Sequence, residues 1–165
     1  MTKTQENLAD AFAGESQASR KYHYFAIAAE QEGFTQVARL FRAAALAETI
    51  HAGNHLKALG GIASTRVNLQ KAIDGEHYEV NTMYPVFHQD SEDEGDKKAS
   101  RTFKYAWDVE KEHEELYKQA LATLDQSAET VEYYVCPVCG HTHVGKPTTN
   151  CPVCGTLAVK FIRVD

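Results

Sequence analysis

The stretch Phe41-Arg42-Ala43-Ala44-Ala45-Leu46-Ala47-Glu48-Thr49-Ile50-His51 is echoed by Phe103-Lys104-Tyr105-Ala106-Trp107-Asp108-Val109-Glu110-Lys111-Glu112-His113, and this pair decides the fold. Glu and His three apart on a helix point the same way, so each segment offers two donor atoms to one place. Each sits in an apolar stripe of helical spacing. The first stripe reads Val37, Phe41, Ala44, Glu48, His51, His55. The second reads Ala99, Phe103, Ala106, Glu110, His113, Tyr117, Ala120, Leu124. Working outward, Leu8, Phe12, Glu15, Ser19, Tyr22, Ala26 and Ala29 form another such face, and Leu69, Ala72, Glu76, Glu79, Met83 and Val86 a fourth. Gly33, Gly60-Gly61 and Gly95 punctuate the four helices. Ser64, Thr65 and Asn68 are candidate N-caps for the third, and Gly75 and Pro85 predict a kink or bulge in it.

The two halves resemble each other. A shift of 62 maps Tyr22 onto Tyr84, Phe25 onto Phe87, Glu30 onto Glu92, Glu32-Gly33 onto Glu94-Gly95 and Arg39 onto Arg101, and carries Phe41, Ala44, Glu48 and His51 onto Phe103, Ala106, Glu110 and His113. Gly14-Glu15 and Gly75-Glu76 match one residue out of step. A duplicated helical hairpin follows, with short turns inside each half and a longer link from Gly60 to Val67. Up-down pairs joined by one crossover describe a mainly α, ferritin-like four-helix bundle.

A Glu from each of two helices plus Glu-x-x-His from the other two is the geometry of di-iron carboxylate sites. Glu15, Glu48 with His51, Glu76, and Glu110 with His113 supply it. Unpaired carboxylates at such depth cost several kcal/mol each and repel one another, a cost two divalent ions offset. Oxygen donors mixed with imidazole suit iron or manganese. Glu79 shares a face with Glu76 and makes a seventh ligand, which implies a centre able to change its coordination.

All four cysteines lie in the last 30 residues, as Cys136-x-x-Cys139 and Cys151-x-x-Cys154. In a chain whose start, Met1-Thr2-Lys3-Thr4, has no apolar leader, reduced metal-binding thiols are expected rather than disulfides. The spacing fits a tetrahedral four-sulfur site but does not separate zinc from a single redox iron. Gly140 and Gly155 let the backbone turn and aim amides at the sulfurs. Tyr133, Tyr134 and Phe161 are candidates to pack over the site, and His141 and His143 read as surface loop histidines rather than ligands. About 33 residues is fewer than the ~40 that fold without staples, so the metal is structural as well. Asp125 to Glu132 reads as a linker, giving domains 1–130 and 131–165. The first 132 residues carry net −8 and the tail +2, which favours docking of one on the other. The whole chain, with 17 Lys+Arg against 23 Asp+Glu, has no basic stripe for nucleic acid, and no run approaches the ~20 apolar residues of a membrane span. A cytoplasmic protein is expected.

Gly14-Glu15-Ser16-Gln17-Ala18, Ala47-Glu48-Thr49-Ile50-His51, Gly75-Glu76-His77-Tyr78-Glu79, Met83-Tyr84-Pro85 and Glu110-Lys111-Glu112-His113, followed by two Cys-Pro-Val-Cys-Gly knuckles, resemble the rubrerythrin family over essentially the whole chain. The resemblance implies a di-iron centre held by all seven carboxylate and histidine positions. Glu79 and His51 would alternate on one iron as the redox state changes, and one iron would sit on the four cysteines in a rubredoxin-like tail. It further implies a peroxidase that reduces hydrogen peroxide to water. Electrons would enter through a rubredoxin-type donor fed by a nicotinamide cofactor, Tyr22 and Tyr84 would hydrogen-bond around the centre, and the chain would form a homodimer. Two other readings stay open at this point. One is a ferritin-like ferroxidase or iron store; the other is a zinc-ribbon interaction module on a helical bundle.

Overall fold

The computed structural model describes residues 2–126 and 130–165, which form two compact units, 1–63 and 64–165. The expected linker at 125–132 includes residues 127–129, which lie outside the described residues.

The first unit is a hairpin of α1 (Lys3–Gln31) and α2 (Thr35–Ala58). Helix α1 starts five residues before the stripe does, because Thr2 and Gln5 form a reciprocal capping box that holds its first turn. Between the helices Gly33 adopts φ 85°, which lets the Phe34 amide reach back to Ala29 O at 2.8 Å. Buried Ser19, Ala26 and Ala29 of α1 face Ala38 and Ala52 of α2. The α2 seam is thus one step round from the stripe, leaving Glu48 and His51 on its flank. Small residues there let the two backbones approach, and the Ser19 hydroxyl is satisfied by Thr49 Oγ1 at 2.9 Å.

The second unit begins with α3 (Thr65–Tyr78), capped by Ser64, whose hydroxyl accepts from the Val67 amide. A π-turn at Glu79–Met83 and α4 (Tyr84–Asp93) continue the same right-handed helical backbone, and α5 (Lys97–Ala122) returns against α3 and α4. The duplication extends to details that the alignment of motifs did not require. Gly95 has φ 72°, and the Asp96 amide reaches Ser91 O at 2.9 Å, the counterparts of the Gly33 turn at a shift of 62. Ser91 and Ser100 are buried where Ala29 and Ala38 stand in the first hairpin. Tyr22, Phe25 and Phe41 make an aromatic triad with centroids 5.6–6.2 Å apart, and Tyr84, Phe87 and Phe103 repeat it at 5.7–6.5 Å.

The expected irregularity in the third helix is the π-turn, and it has a cause. The Tyr84 amide bonds Glu79 O, five residues back, so the next carbonyl, Val80 O, would need the amide of residue 85. Residue 85 is proline and has none. The Trp107 indole N–H, from α5, donates to Val80 O at 2.8 Å instead. Trp107→Phe should therefore lower thermal or denaturant stability by about 1–3 kcal/mol through an orphaned carbonyl. An unchanged unfolding midpoint would mean that water takes over the bond.

The tail is a three-stranded antiparallel sheet, β1 (Tyr133–Val135), β2 (Thr142–Val144) and β3 (Ile162–Val164), in the order β2-β1-β3. Strand β2 packs on α5. No described helix is long and apolar enough to cross a membrane.

Candidate metal centre

Three groups of donors come together. In the first unit, Glu15 of α1 meets Glu48 and His51 of α2; in the second, Glu76 of α3 meets Glu110 and His113 of α5. Within each group, ligand atoms lie within 4.8 Å of one another. The two are counterparts under the repeat: His51 Nδ1 is 2.8 Å from Glu48 Oε2, and His113 Nδ1 is 2.7 Å from Glu110 Oε2. Helical spacing alone produces both contacts, as the Glu-x-x-His pattern predicts.

Electrostatics show that the group of the second unit suits a cation. Burial, then the neighbouring Glu110 carboxylate, pushes the Glu76 carboxyl up to about 7, and the same two causes raise Glu79. His113 is raised by its hydrogen bond to Glu110, against a smaller opposing effect of burial. Negative charge here exceeds what the protein itself compensates, and a divalent ion between the carboxylates would supply the missing positive charge. Glu79 lies outside the tight group of three but close enough to feel Glu110. The π-turn sets it there, half-buried, on a length of helix whose hydrogen-bond ladder is already broken.

Tyr84 lies in this field: burial raises its phenol, followed by Glu79, Glu110 and Glu76. Tyr22 packs against Phe25 and Phe41, the aromatic side of the first hairpin. Tyr117 was not singled out from the sequence, yet burial and the charges of Glu76 and Glu110 raise it. Its place one turn beyond His113 on the same stripe was the available signal. His55 joins neither group among the described residues.

One consequence concerns the metal-free protein. Glu76 binds its proton more tightly folded than unfolded, so its contribution is greatest below the ordinary carboxylate range and is lost as pH rises through about 7. The raised His113 acts in the same direction, losing its contribution as pH rises through its folded value. Metal-stripped protein should melt at a lower temperature at about pH 8 than at about pH 5.5, and adding Fe(II) should recover more stability at the higher pH. A melting temperature that rises with pH in the stripped protein would contradict this charge balance.

In the tail, Cys136, Cys139, Cys151 and Cys154 gather their sulfurs within 4.8 Å, with Cys136–Cys154 at 3.5 Å and Cys139–Cys151 at 3.4 Å. A tetrahedral ion with metal–sulfur bonds near 2.3 Å needs sulfur separations of about 3.8 Å. The cage fits with a small expansion. Two matching knuckles build it. The Cys136 amide donates to His141 O and the Gly140 amide to Cys136 O; the Cys151 amide donates to Thr156 O and the Gly155 amide to Cys151 O. Gly140 and Gly155 take φ 85° and 76°, as the turn requires. The amides that reach the sulfurs include those of the residues after the glycines, His141 to Cys139 and Thr156 to Cys154. Burial drives the Cys139 thiol up. Burial acts on Cys154 too, but hydrogen bonds from the Thr156 hydroxyl and amide outweigh it and bring that thiol down to about 6.

The reading of His141 as a surface histidine is corrected. It is 4% exposed, its Nδ1 lies 2.5 Å from Glu112 Oε2, and its ring meets Phe161 edge-on at 5.9 Å. Docking of the tail on α5 buries it. Phe161 packs on His141 and His143, and the Tyr134 hydroxyl donates to Glu132 at 3.0 Å. His143 Nδ1 lies 3.0 Å from Gly145 O.

The profile of the Rubrerythrin family matches residues 6–121, and that of the rubrerythrin rubredoxin-like domain matches 134–162. Rubrerythrin-2 of Clostridium acetobutylicum is 36% identical, covering 96% of this chain and 95% of its own length. Nigerythrin of Nitratidesulfovibrio vulgaris is 36% identical over 92% of this chain and 81% of its own. The solved structure of nigerythrin in a partially reduced state superposes with a TM-score of 0.60 at 35% identity, covering 99% of this chain and 88% of that one. With a ferritin-like domain carrying carboxylate–histidine iron ligands, a rubredoxin-like four-cysteine tail and full-length relatives, the chain belongs to the rubrerythrin family.

Proposed function

We propose that this protein reduces hydrogen peroxide to water, taking two electrons and two protons per peroxide. The observation that carries the proposal is the packing of β2, a strand of the four-cysteine tail, on α5, the helix that bears Glu110 and His113. An iron store has no need of a redox site in that position; a peroxidase that must refill its electrons has. Glu15, Glu48, His51, Glu76, Glu79, Glu110 and His113 provide the donor number that two irons sharing carboxylates require. When bound, the irons supply the electrons that cleave the O–O bond.

The protein's own groups do the rest. Glu76 and Glu79, whose carboxyls burial and Glu110 hold above the ordinary range, are the groups we assign to deliver protons to the departing oxygens. Tyr84, also raised, stays protonated as a hydrogen-bond donor beside them, and we assign its counterpart Tyr22 the same role. A cleft of about 300 Å³ beside His113, walled by Leu69, Leu116, Tyr117 and Tyr133, leaves room for a molecule of peroxide's size. Residues 1–130 act as the reacting domain and 131–165 as the electron entry, fed by a rubredoxin-type donor linked to NAD(P)H in the cytoplasm. Each unit leaves large apolar side chains exposed, among them Tyr24, Leu40 and Leu46 in the first and Val86 and Phe87 in the second, which supports a homodimer.

Peroxide turnover with a reduced rubredoxin as donor tests the proposal. The expected result is turnover in the wild type and an approximately 100-fold lower rate in Glu79→Ala, whose other ligands remain to hold iron. If Fe(II)-stimulated oxygen uptake is fast while peroxide turnover is absent, the ferroxidase reading replaces this one.

A further inference from the structure

The two metal sites of the second unit are joined by hydrogen bonds through a single peptide group. The amide of His141 donates to the Cys139 sulfur. The carbonyl at the other end of that peptide, Gly140 O, accepts from the Thr142 hydroxyl at 3.3 Å. Thr142 Oγ1 in turn lies 2.9 Å from His113 Nε2. The remaining ring nitrogen, His113 Nδ1, faces Glu110 and the metal group. The donor directions agree along the whole line. An Nδ1 that binds a metal is unprotonated, so Nε2 carries the hydrogen and donates to Thr142, whose own hydrogen goes to Gly140 O. The Thr142 hydroxyl accepts one hydrogen bond and donates the other.

Docking holds the line in place. His141 is buried with Nδ1 on Glu112, next to His113 on α5, and Val109 Cγ1 lies 3.9 Å from where a Cβ on Gly140 would stand. Val109 itself is 2% exposed.

We propose that Thr142 is a positioning residue that fixes the His113 tautomer and completes a relay within one chain, from Cys139 through the Gly140–His141 peptide and the Thr142 hydroxyl to His113. With iron held by the four cysteines and by the carboxylate group, the relay would pass one electron from the ferrous four-cysteine iron, leaving it ferric, to a ferric ion at Glu76, Glu110 and His113; no covalent bond would change and the relay protons would stay where they are. This deepens the peroxidase reading and rests on it for its physiological meaning, but the electron step itself is separable from peroxide.

The test uses full-length, iron-loaded protein and no peroxide. A pulse of photochemical reductant reduces the four-cysteine iron, and its return to ferric, with the carboxylate irons oxidised, is followed by visible absorption. Thr142→Val keeps the shape and removes the hydroxyl, and is expected to slow this transfer at least about tenfold. Thr142→Ser keeps the hydroxyl and should stay within about twofold of wild type. In the zinc-loaded, diamagnetic protein, the His113 Nε2 proton should be visible by NMR and protected from water in wild type and Thr142→Ser, and should exchange freely in Thr142→Val. Equal transfer rates in all three proteins, equal slowing in both variants, no internal transfer in wild type, or an unprotected Nε2 proton in wild type would each overturn the relay. A protein that passes the electron but leaves peroxide untouched would keep the relay and remove the peroxidase.

Discussion

Replacing Cys136 by serine should remove donor-linked peroxide turnover almost entirely, by about 100-fold or more, while the helices keep their far-ultraviolet signal. Cys136 is 1% exposed, and its amide and carbonyl close the first knuckle through His141 and Gly140. A tail of this length has little apolar core of its own, and a four-thiolate site contributes on the order of 10–16 kcal/mol to the folding of such modules. With one sulfur gone the cage opens, the knuckle loses its staple, and the surface that places His141 and Thr142 on α5 disperses. The visible absorption of a ferric four-sulfur site should vanish and iron per chain should fall by one. A single exposure to peroxide should still oxidise the pre-reduced carboxylate centre at the wild-type rate, because Glu76, Glu79, Glu110 and His113 are untouched. That separation of one turnover from many is the informative readout. If steady turnover persists at the wild-type level, electrons bypass the cysteines and the tail is structural.

The sequence was legible wherever a requirement repeats. Duplicated Glu-x-x-His, glycines at 33 and 95 and the paired knuckles each appear twice, and both copies adopt the same geometry because the same local physics acts on each. Legibility failed where one residue answers another far along the chain. Pro85 announced an irregular helix, but that its missing amide would be replaced by Trp107, 22 positions on, depends on the packing of α5 against the π-turn. His141 looked like a loop histidine because its local neighbours are turn residues; its burial comes from Glu112 and from docking. Tyr117 is a similar case, ordinary in its stripe until the carboxylates of α3 lie beside it. Charge asymmetry did foretell that the tail would dock, without saying which side chains would meet.

Glu110 is the carboxylate on which the second donor group turns, and Glu110→Gln should cost the carboxylate centre more iron than any other single change in that donor group. It touches His113 Nδ1 at 2.7 Å, stands first or second among the charges that raise Glu76, Glu79, Tyr84 and Tyr117, and sits half-buried on a helix with no other carboxylate in its group. Glutamine keeps the volume and the helix but offers one neutral oxygen where an anion is needed. Loss of an outer partner of a metal ligand costs 10–100-fold in affinity or activity, so loss of a ligand should exceed about 100-fold. Iron titration should show weaker uptake at the carboxylate centre while the four-sulfur absorption is unchanged, and peroxide turnover should fall in parallel. The same substitution should bring the Glu76 carboxyl down toward its ordinary range, since the repulsion from Glu110 and its hydrogen bond are gone while burial and Glu79 still raise it against His113. The pH-driven loss of stability in metal-stripped protein should then shrink. A variant that binds iron weakly but keeps the full pH dependence would show that burial, not the neighbouring carboxylate, sets the charge balance of the site.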